Sequence, residues 1–238
     1  MHRPNTISPS PVEREPNEIP TLSALNSAAK TGIPLVVSQL GQSLDGRIAT
    51  ETGHSHYING EGALVFLHQL RAAVDAVVVG AGTAVADDPQ LTVRRADGRN
   101  PARVLIDPRR RAGSDLRMLS LCRDNVPRVV FGPPRPGDPD GILHPPLGPA
   151  PTPADIVAAL AERGFARLLI EGGAETISRF LAAGVVDRLC VAVAPLLIGS
   201  GRPGLTLPPI ATLESAQRPP TTVIPLDGDV LFDCDLRG

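Results

Sequence analysis

Tryptophan is missing from this 238-residue chain and aromatic residues make up only 3% of it, so its core has to be assembled from Leu, Val, Ile and Ala. Cysteine is nearly as scarce. Cys122, Cys190 and Cys234 are far apart, odd in number and without metal-site or redox spacing, which reads as inert thiols in a reducing compartment. No apolar run reaches the roughly 18 residues of a membrane span, and the N-terminus has no signal-peptide apolar region, so a soluble cytoplasmic protein is expected. A strong charge of either sign is lacking too. The formal net charge of -2 and a pI near 6.2 give no general nucleic-acid or acidic-membrane footprint, which leaves small molecules as the expected partners. HExxH, a zinc-deaminase cysteine pair and a serine nucleophile elbow are all absent, and hydrolysis loses ground accordingly. The pair His54 and His56 has no evident third ligand, so no metal site is assigned.

Proline, by contrast, is abundant. The 26 prolines are about double the usual ~5% share and imply many rigid breaks between elements. Residues 1–32 hold five of them with weak periodicity, which reads as a flexible N-terminal extension with one short helix at 22–29; residues 33–238 then form a single domain. Within it, β-branched residues 33–40 predict a strand, and the Asp45-Gly46 step a turn into a second. The alternation of His54, His56 and Ile58 with Ser55, Tyr57 and Asn59 predicts an extended segment. Residues 61–74 carry their apolar side chains on one helical face. Buried strands follow at 76–79, 103–106 and 128–131, with a basic turn at Arg109, Arg110 and Arg111. Next come a Pro/Gly-rich loop at 132–151 and a helix at 154–163 behind the N-cap pair Thr152-Pro153. A further strand is expected at 187–194, and two strands joined at Asp227-Gly228 close the chain. The pattern predicts an α/β fold, a mostly parallel central sheet with flanking helices and a C-terminal antiparallel β-hairpin.

The segment LLIEGGAETISRF, residues 168–180, is the most informative corner. Three apolar residues make an interior strand, Glu171 stands at its end, and Gly172 and Gly173 turn the chain into a helix marked by Ala174, Ile177, Leu181 and Val185. Helix starts attract phosphate, although a glycine turn between strand and helix is often only a turn. Strands also end in glycine or polar sequence at Gly80, Asp107 and from Pro195 to Gly201; in a parallel sheet these ends share one edge, which suits an extended nucleotide beside a second ligand. Arg71, Arg94 and Glu171 are the charged residues placed in that cleft, against the ordinary alternative of surface ion pairs.

The strings GQSLDGRIA, GHSHYI, LRAAVDAVVVGAGTAVADDPQLTVR, LLIEGGAETISRFLAAGVVDRL and APLLIGSG occur in this order over residues 33–205. Together they resemble the riboflavin-pathway pyrimidine reductases, in a standalone form, since the deaminase motifs HxE and PCxxC have no counterpart. The resemblance implies a dihydrofolate-reductase-like fold and NADPH-dependent reduction of 5-amino-6-(5-phosphoribosylamino)uracil to its ribitylamino product. Position by position it implies that Gly41, Tyr57, Thr83, Asp87, Gly172, Gly173, Ala174, Glu175 and Thr176 contact the cofactor, and that Ser55, Arg71, Leu91, Arg94 and Glu171 contact the substrate. Arg71 and Arg94 would then hold the sugar phosphate and Glu171 the pyrimidine N–H groups. Arg109 to Arg111 are expected at the cofactor 2′-phosphate. A homodimer is implied as well. Gln39 departs from the family pattern, which often has Lys there. That departure keeps open a paralogous reductase acting on a pterin or specialised metabolite, and a nucleotide-binding protein without turnover remains the non-enzymatic alternative.

Overall fold

The computed structural model describes residues 19–56, 58–120 and 125–237. Its spine is a nine-stranded sheet. The strands are β1 (Leu35–Ser43), β3 (Ala76–Gly80), β4 (Ala102–Ile106), β5 (Arg128–Phe131), β6 (Ile142–Leu143), β7 (Arg167–Glu171), β8 (Arg188–Ala194), β10 (Thr221–Leu226) and β11 (Asp229–Asp235), in the order β10-β11-β8-β1-β7-β3-β4-β5-β6. From β8 to β6 all neighbours are parallel; β11 then pairs antiparallel with β8, and β10 with β11. A separate two-stranded sheet joins β2 (Arg47–Thr50) to β9 (Gly201–Pro203). The expected fold class is therefore what forms.

Helices cover both faces, because strands buried on two sides alternate their apolar residues between two clusters. On one face α1 (Pro20–Thr31), α2 (Glu61–Ala73) and α4 (Arg117–Ser120) seat Leu25, Phe66, Leu70 and Leu119 on Leu35, Val37, Val77 and Leu169. On the other, α5 (Pro153–Ala161) and α6 (Ala174–Ala182) seat Ile156, Leu160, Ile177 and Phe180 on Val36, Val78, Val104 and Ile170. Helix α5 starts at a full capping box, with Thr152 and Asp155 satisfying each other's backbone N–H. A short α3 (Ala81–Asp87) springs directly from β3.

Two expectations need correction. The helix within residues 19–31 is not part of a loose extension. Leu25 is wholly buried, and Thr21 donates from both its N–H and its hydroxyl to Asp233, 212 positions away on β11. Arg188 closes that network by reaching Thr21, Asp233 and Asp235. The ordered body thus begins before residue 33; residues 1–18 and Cys122 lie outside the described residues. Nor is the segment after β2 a strand. Its polar groups are used locally: the Thr50 N–H donates to the His54 carbonyl, and the His54 N–H donates to the Thr50 hydroxyl, which folds the chain into a turn.

Candidate functional site

Strands β3 and β7 end side by side, and each hands the chain to a helix through glycine. These two turns fit into one another. A Cβ on Gly80 would lie 2.3 Å from the Thr176 hydroxyl of α6, and one on Gly173 would lie 2.6 Å from the Thr83 hydroxyl of α3. Gly172 and Gly173 also have φ of 77° and 65°, a region that disfavours side chains. The start of α6 carries no side-chain cap, so its first N–H groups are left for a ligand.

In front of these turns lies a cavity of about 1110 Å³. Its walls come from the two glycine turns, the end of β4, the start of α5 and the β2–β9 ribbon. The volume suits a dinucleotide. Four arginines line it, Arg109, Arg111, Arg179 and Arg202, against the carboxylates Asp87 and Glu175, so the charge favours an anion. The turn after β4 is held from inside by Asp107, which is wholly buried and accepts from the Arg111 and Ala112 N–H groups, each at 2.9 Å. Arg110 folds back in a left-handed conformation onto Asp138. That leaves Arg109 and Arg111 facing the cavity. Asp87 lies exposed on the rim of the cavity; partial burial raises its pKa while His56 and Arg202 pull it down, and the net shift is upward.

The opposite face of the sheet carries a second polar group. Glu171 shares the face of Leu169 and meets α2, where Arg71 grips both its oxygens, the Nε–Oε2 bond being 2.8 Å, and also donates to the Thr92 carbonyl. Burial acts to lower the Arg71 pKa, but the charge and hydrogen bonds of Glu171 more than offset it and the net shift is upward. Below the pair, Nδ1 of buried His68 accepts the Arg94 N–H at 2.9 Å. Burial first, then the charges of Arg71 and Arg94, push the His68 pKa down to about 4, so the imidazole is neutral at pH 7. Leu91 is buried with φ of 54°, an unusual conformation for an apolar residue. Arg94 itself is exposed, and partial burial and the nearby Arg71, Arg95 and Arg117 lower its pKa. Arg95 pairs with Glu61, and Arg117 with Asp88. Among the described residues Arg94 alone of these four has no carboxylate partner, so it is the group best placed to hold a phosphate.

Of the residues expected at the cofactor, Thr83, Asp87, Gly173, Ala174, Glu175 and Thr176 line the cavity. Gly172 abuts Thr83 just behind the wall, while Gly41 lies on the α2 face, its missing Cβ replaced by the Asn59 carboxamide. Tyr57 lies outside the described residues. Of those expected at the substrate, Ser55 lines the cavity, and Arg71, Leu91, Arg94 and Glu171 gather on the α2 side. Sequence reasoning passes over Arg179 and Arg202. The first sits on α6 one turn after Glu175, a polar stripe that helical spacing could have exposed; the second is hidden in a glycine-rich loop with no periodicity.

Comparison with known proteins agrees with this geometry. The profile of the RibD C-terminal domain matches residues 34–218. The chain is 37% identical over 190 residues to the 2,5-diamino-6-ribosylamino-4(3H)-pyrimidinone 5′-phosphate reductase of Methanothermobacter thermautotrophicus, covering 73% of this chain and 83% of that protein. It is 34% identical over 174 residues to the riboflavin biosynthesis protein RibD of Mycobacterium tuberculosis, covering 71% of this chain but 44% of that one, so it spans about half the length of such relatives. Acinetobacter baumannii RibD superposes with a TM-score of 0.76 at 30% identity, over 88% of this chain and 60% of that one. A dihydrofolate reductase from Enterococcus faecalis, at a TM-score of 0.50 and 11% identity over 84% of this chain and 96% of that one, shares the fold alone. A glycine-lined cavity at a parallel sheet edge, an uncapped helix start and a matching profile over most of the length lead to one conclusion: the chain belongs to the RibD C-terminal domain family.

Proposed function

We propose that the protein reduces 5-amino-6-(5-phosphoribosylamino)uracil to the 5-phosphoribitylamino product with NADPH, the reductase step of riboflavin biosynthesis. One observation carries this reading: a cation-rich, dinucleotide-sized cavity and a pyrimidine-scale polar cluster meet at the end of a single strand, β7, on opposite faces of the sheet. The uncapped start of α6 and Arg109 with Arg111 would hold the cofactor's phosphates. The dihydronicotinamide would supply a hydride to C1′ of the open-chain imine form of the ribosylamine, and solvent would supply the proton to the imine nitrogen. The chain's own residues bind and orient. Arg94 takes the sugar phosphate, with Arg71 behind it as a charge fixed by Glu171 rather than a free clamp. The Glu171 oxygens keep lone pairs beyond those used by Arg71, enough to accept from a pyrimidine N–H. Thr83 and Thr176, interlocked with the facing glycines, hold the two ligand sites at a fixed separation.

Loss of NADPH absorbance with the phosphoribosylamino-uracil, and its dependence on Arg109 and Arg111, tests the assignment. Replacing both by Ala should erode the preference for NADPH over NADH by about a hundredfold. An unchanged preference would remove these two from the 2′-phosphate.

A homodimer belongs to the same reading. On β10, β11 and β8 the face not covered by a helix presents Val223, Phe232 and Val191 in register, with Val230 beside Val193, and Val223 and Phe232 are exposed. A contiguous apolar strip on a sheet face fits a second copy. Phe232→Glu should shift sedimentation to the monomer, and a wild-type monomer at working concentration would end this part of the proposal. We place the enzyme in the cytoplasm, where its phosphorylated substrate and nicotinamide cofactor are found; no described helix is long and apolar enough to cross a membrane.

A further inference from the structure

Arg109 and Arg111 reach the cavity from a turn whose middle residue, Arg110, folds back onto Asp138 instead. Arg110 has φ of 51°, a left-handed conformation that a long side chain keeps only where its surroundings enforce it. Asp107 holds the inner side of this turn. The outer side is held by the Pro/Gly-rich segment after β5. That segment starts in close contact, because a Cβ on Gly132 would lie 2.2 Å from the Asp107 carbonyl oxygen and 3.0 Å from Cδ of Arg110. Arg135 then donates to the carbonyls of Arg110 at 3.0 Å and Ala112 at 2.5 Å, satisfying the turn's backbone from outside. Asp138 completes the brace. Its carboxylate meets the Arg110 guanidinium, with each side chain only 9% exposed, and accepts from the Arg135 N–H at 3.0 Å and the Ser114 hydroxyl at 3.1 Å. Nε2 of His144 stands 3.5 Å from the same carboxylate. Nε of Arg110 is buried and bonded by no group among the described residues, so it is the Asp138 carboxylate that compensates this withdrawn charge.

We propose that Asp138 is a positioning residue for the cofactor: by capturing Arg110 it fixes the turn so that Arg109 and Arg111 converge on the 2′-phosphate, and it thereby sets the preference for NADPH over NADH although it does not line the cavity itself. The proposal rests on the reading of those two arginines given above and deepens it. Three adjacent arginines repel one another, and the middle charge has to be drawn off before the outer two can approach one anion. Without Asp138, Arg110 is left withdrawn from water and uncompensated. Rotation out of its left-handed conformation relieves that, and it turns the peptide planes on which Arg109 and Arg111 are carried. A phosphate gripped by two guanidinium forks depends on their separation, so the grip weakens. The start of α6 lies on a different element and keeps its hold on the diphosphate that both dinucleotides share.

Calorimetric titration with NADP+ and NAD+, without any pyrimidine present, tests this apart from turnover. Asp138→Asn keeps the shape and one acceptor; it should weaken NADP+ binding at least about tenfold and leave NAD+ within about twofold of wild type, the NAD+ value also reporting that the variant is folded. The double variant Arg110→Asn with Asp138→Asn should bind NADP+ to within about threefold of wild type, because no charge is stranded and asparagine accepts the left-handed conformation. A merely structural role for Asp138 would weaken both dinucleotides together and would not be rescued. An NADP+ to NAD+ ratio unmoved by Asp138→Asn, or a double variant as weak as the single one, overturns the proposal and leaves Arg109 and Arg111 in their role. A wild type that binds NADP+ no better than NAD+ removes the 2′-phosphate reading and this proposal together.

Discussion

Among the described residues, two buried arginine–carboxylate groups of nearly the same chemistry, Arg188 with Asp233 and Arg71 with Glu171, behave as opposites. At the base of α1, Arg188 is bonded to Thr21, Asp233 and Asp235, and Asp233 in turn takes two bonds from Thr21. This group joins a helix near the N-terminus to the last strand. At the end of β7, Arg71 and Glu171 form an equally close pair, but around it lie an arginine without a carboxylate at Arg94 and a strained Leu91. A buried ion pair by itself therefore identifies nothing. What separates a scaffold from a site is whether the groups beside the pair are already satisfied.

That contrast can be broken by substitution. The largest effect is expected at Asp233→Ala, which strands Arg188 in the interior; it should cost about 3–5 kcal/mol in urea unfolding and leave kcat/KM per folded molecule unchanged. Glu171→Gln should do the reverse. It keeps the shape and an acceptor for Arg71, so stability falls less, but kcat/KM should drop about a hundredfold; full activity would make Glu171 as structural as Asp233. Arg94→Ala comes next. Since the side chain is exposed, stability should move by no more than about 0.5 kcal/mol while KM for the phosphorylated substrate rises at least about tenfold.

A last effect, absent at neutral pH, appears only on acidification. His68 has its folded pKa depressed to about 4 from an ordinary 6.5, so the fold favours the neutral ring. Its contribution is fully present above pH 6.5 and is lost as the pH falls toward 4. The substitution His68→Gln retains an acceptor for the Arg94 N–H and removes the titrating ring. Stability of this variant should therefore decline less than that of wild type between pH 6.5 and 4, followed by thermal melts.

Much of the sheet is legible in the sequence because its signals are local. The run Leu168-Leu169-Ile170 before Glu171-Gly172-Gly173 carries strand, edge and helix start within a few residues, and all three form there. Thr83 and Asp87 follow from the family resemblance and do line the cavity. The misreadings share a cause. Residues 20–31 look weak because the partners that bury them, Asp233 and Arg188, are more than a hundred and sixty positions away. The same holds for the Arg71–Glu171 pair, whose members are 100 positions apart; each alone reads as free to bind a ligand. The alternation from His54 to Asn59 is genuine, but Thr50 captures both backbone groups of His54 that a strand there would need.

The interlocked turns after β3 and β7 carry a consequence for how this protein can change over time. Each hydroxyl fills a space that only a missing side chain leaves open, Thr176 at Gly80 and Thr83 at Gly173. Neither glycine can gain a methyl group unless its opposite threonine turns its hydroxyl away or shrinks. Drift at this edge of the sheet is therefore restricted to four positions moving in step, while the loops around it remain free to vary.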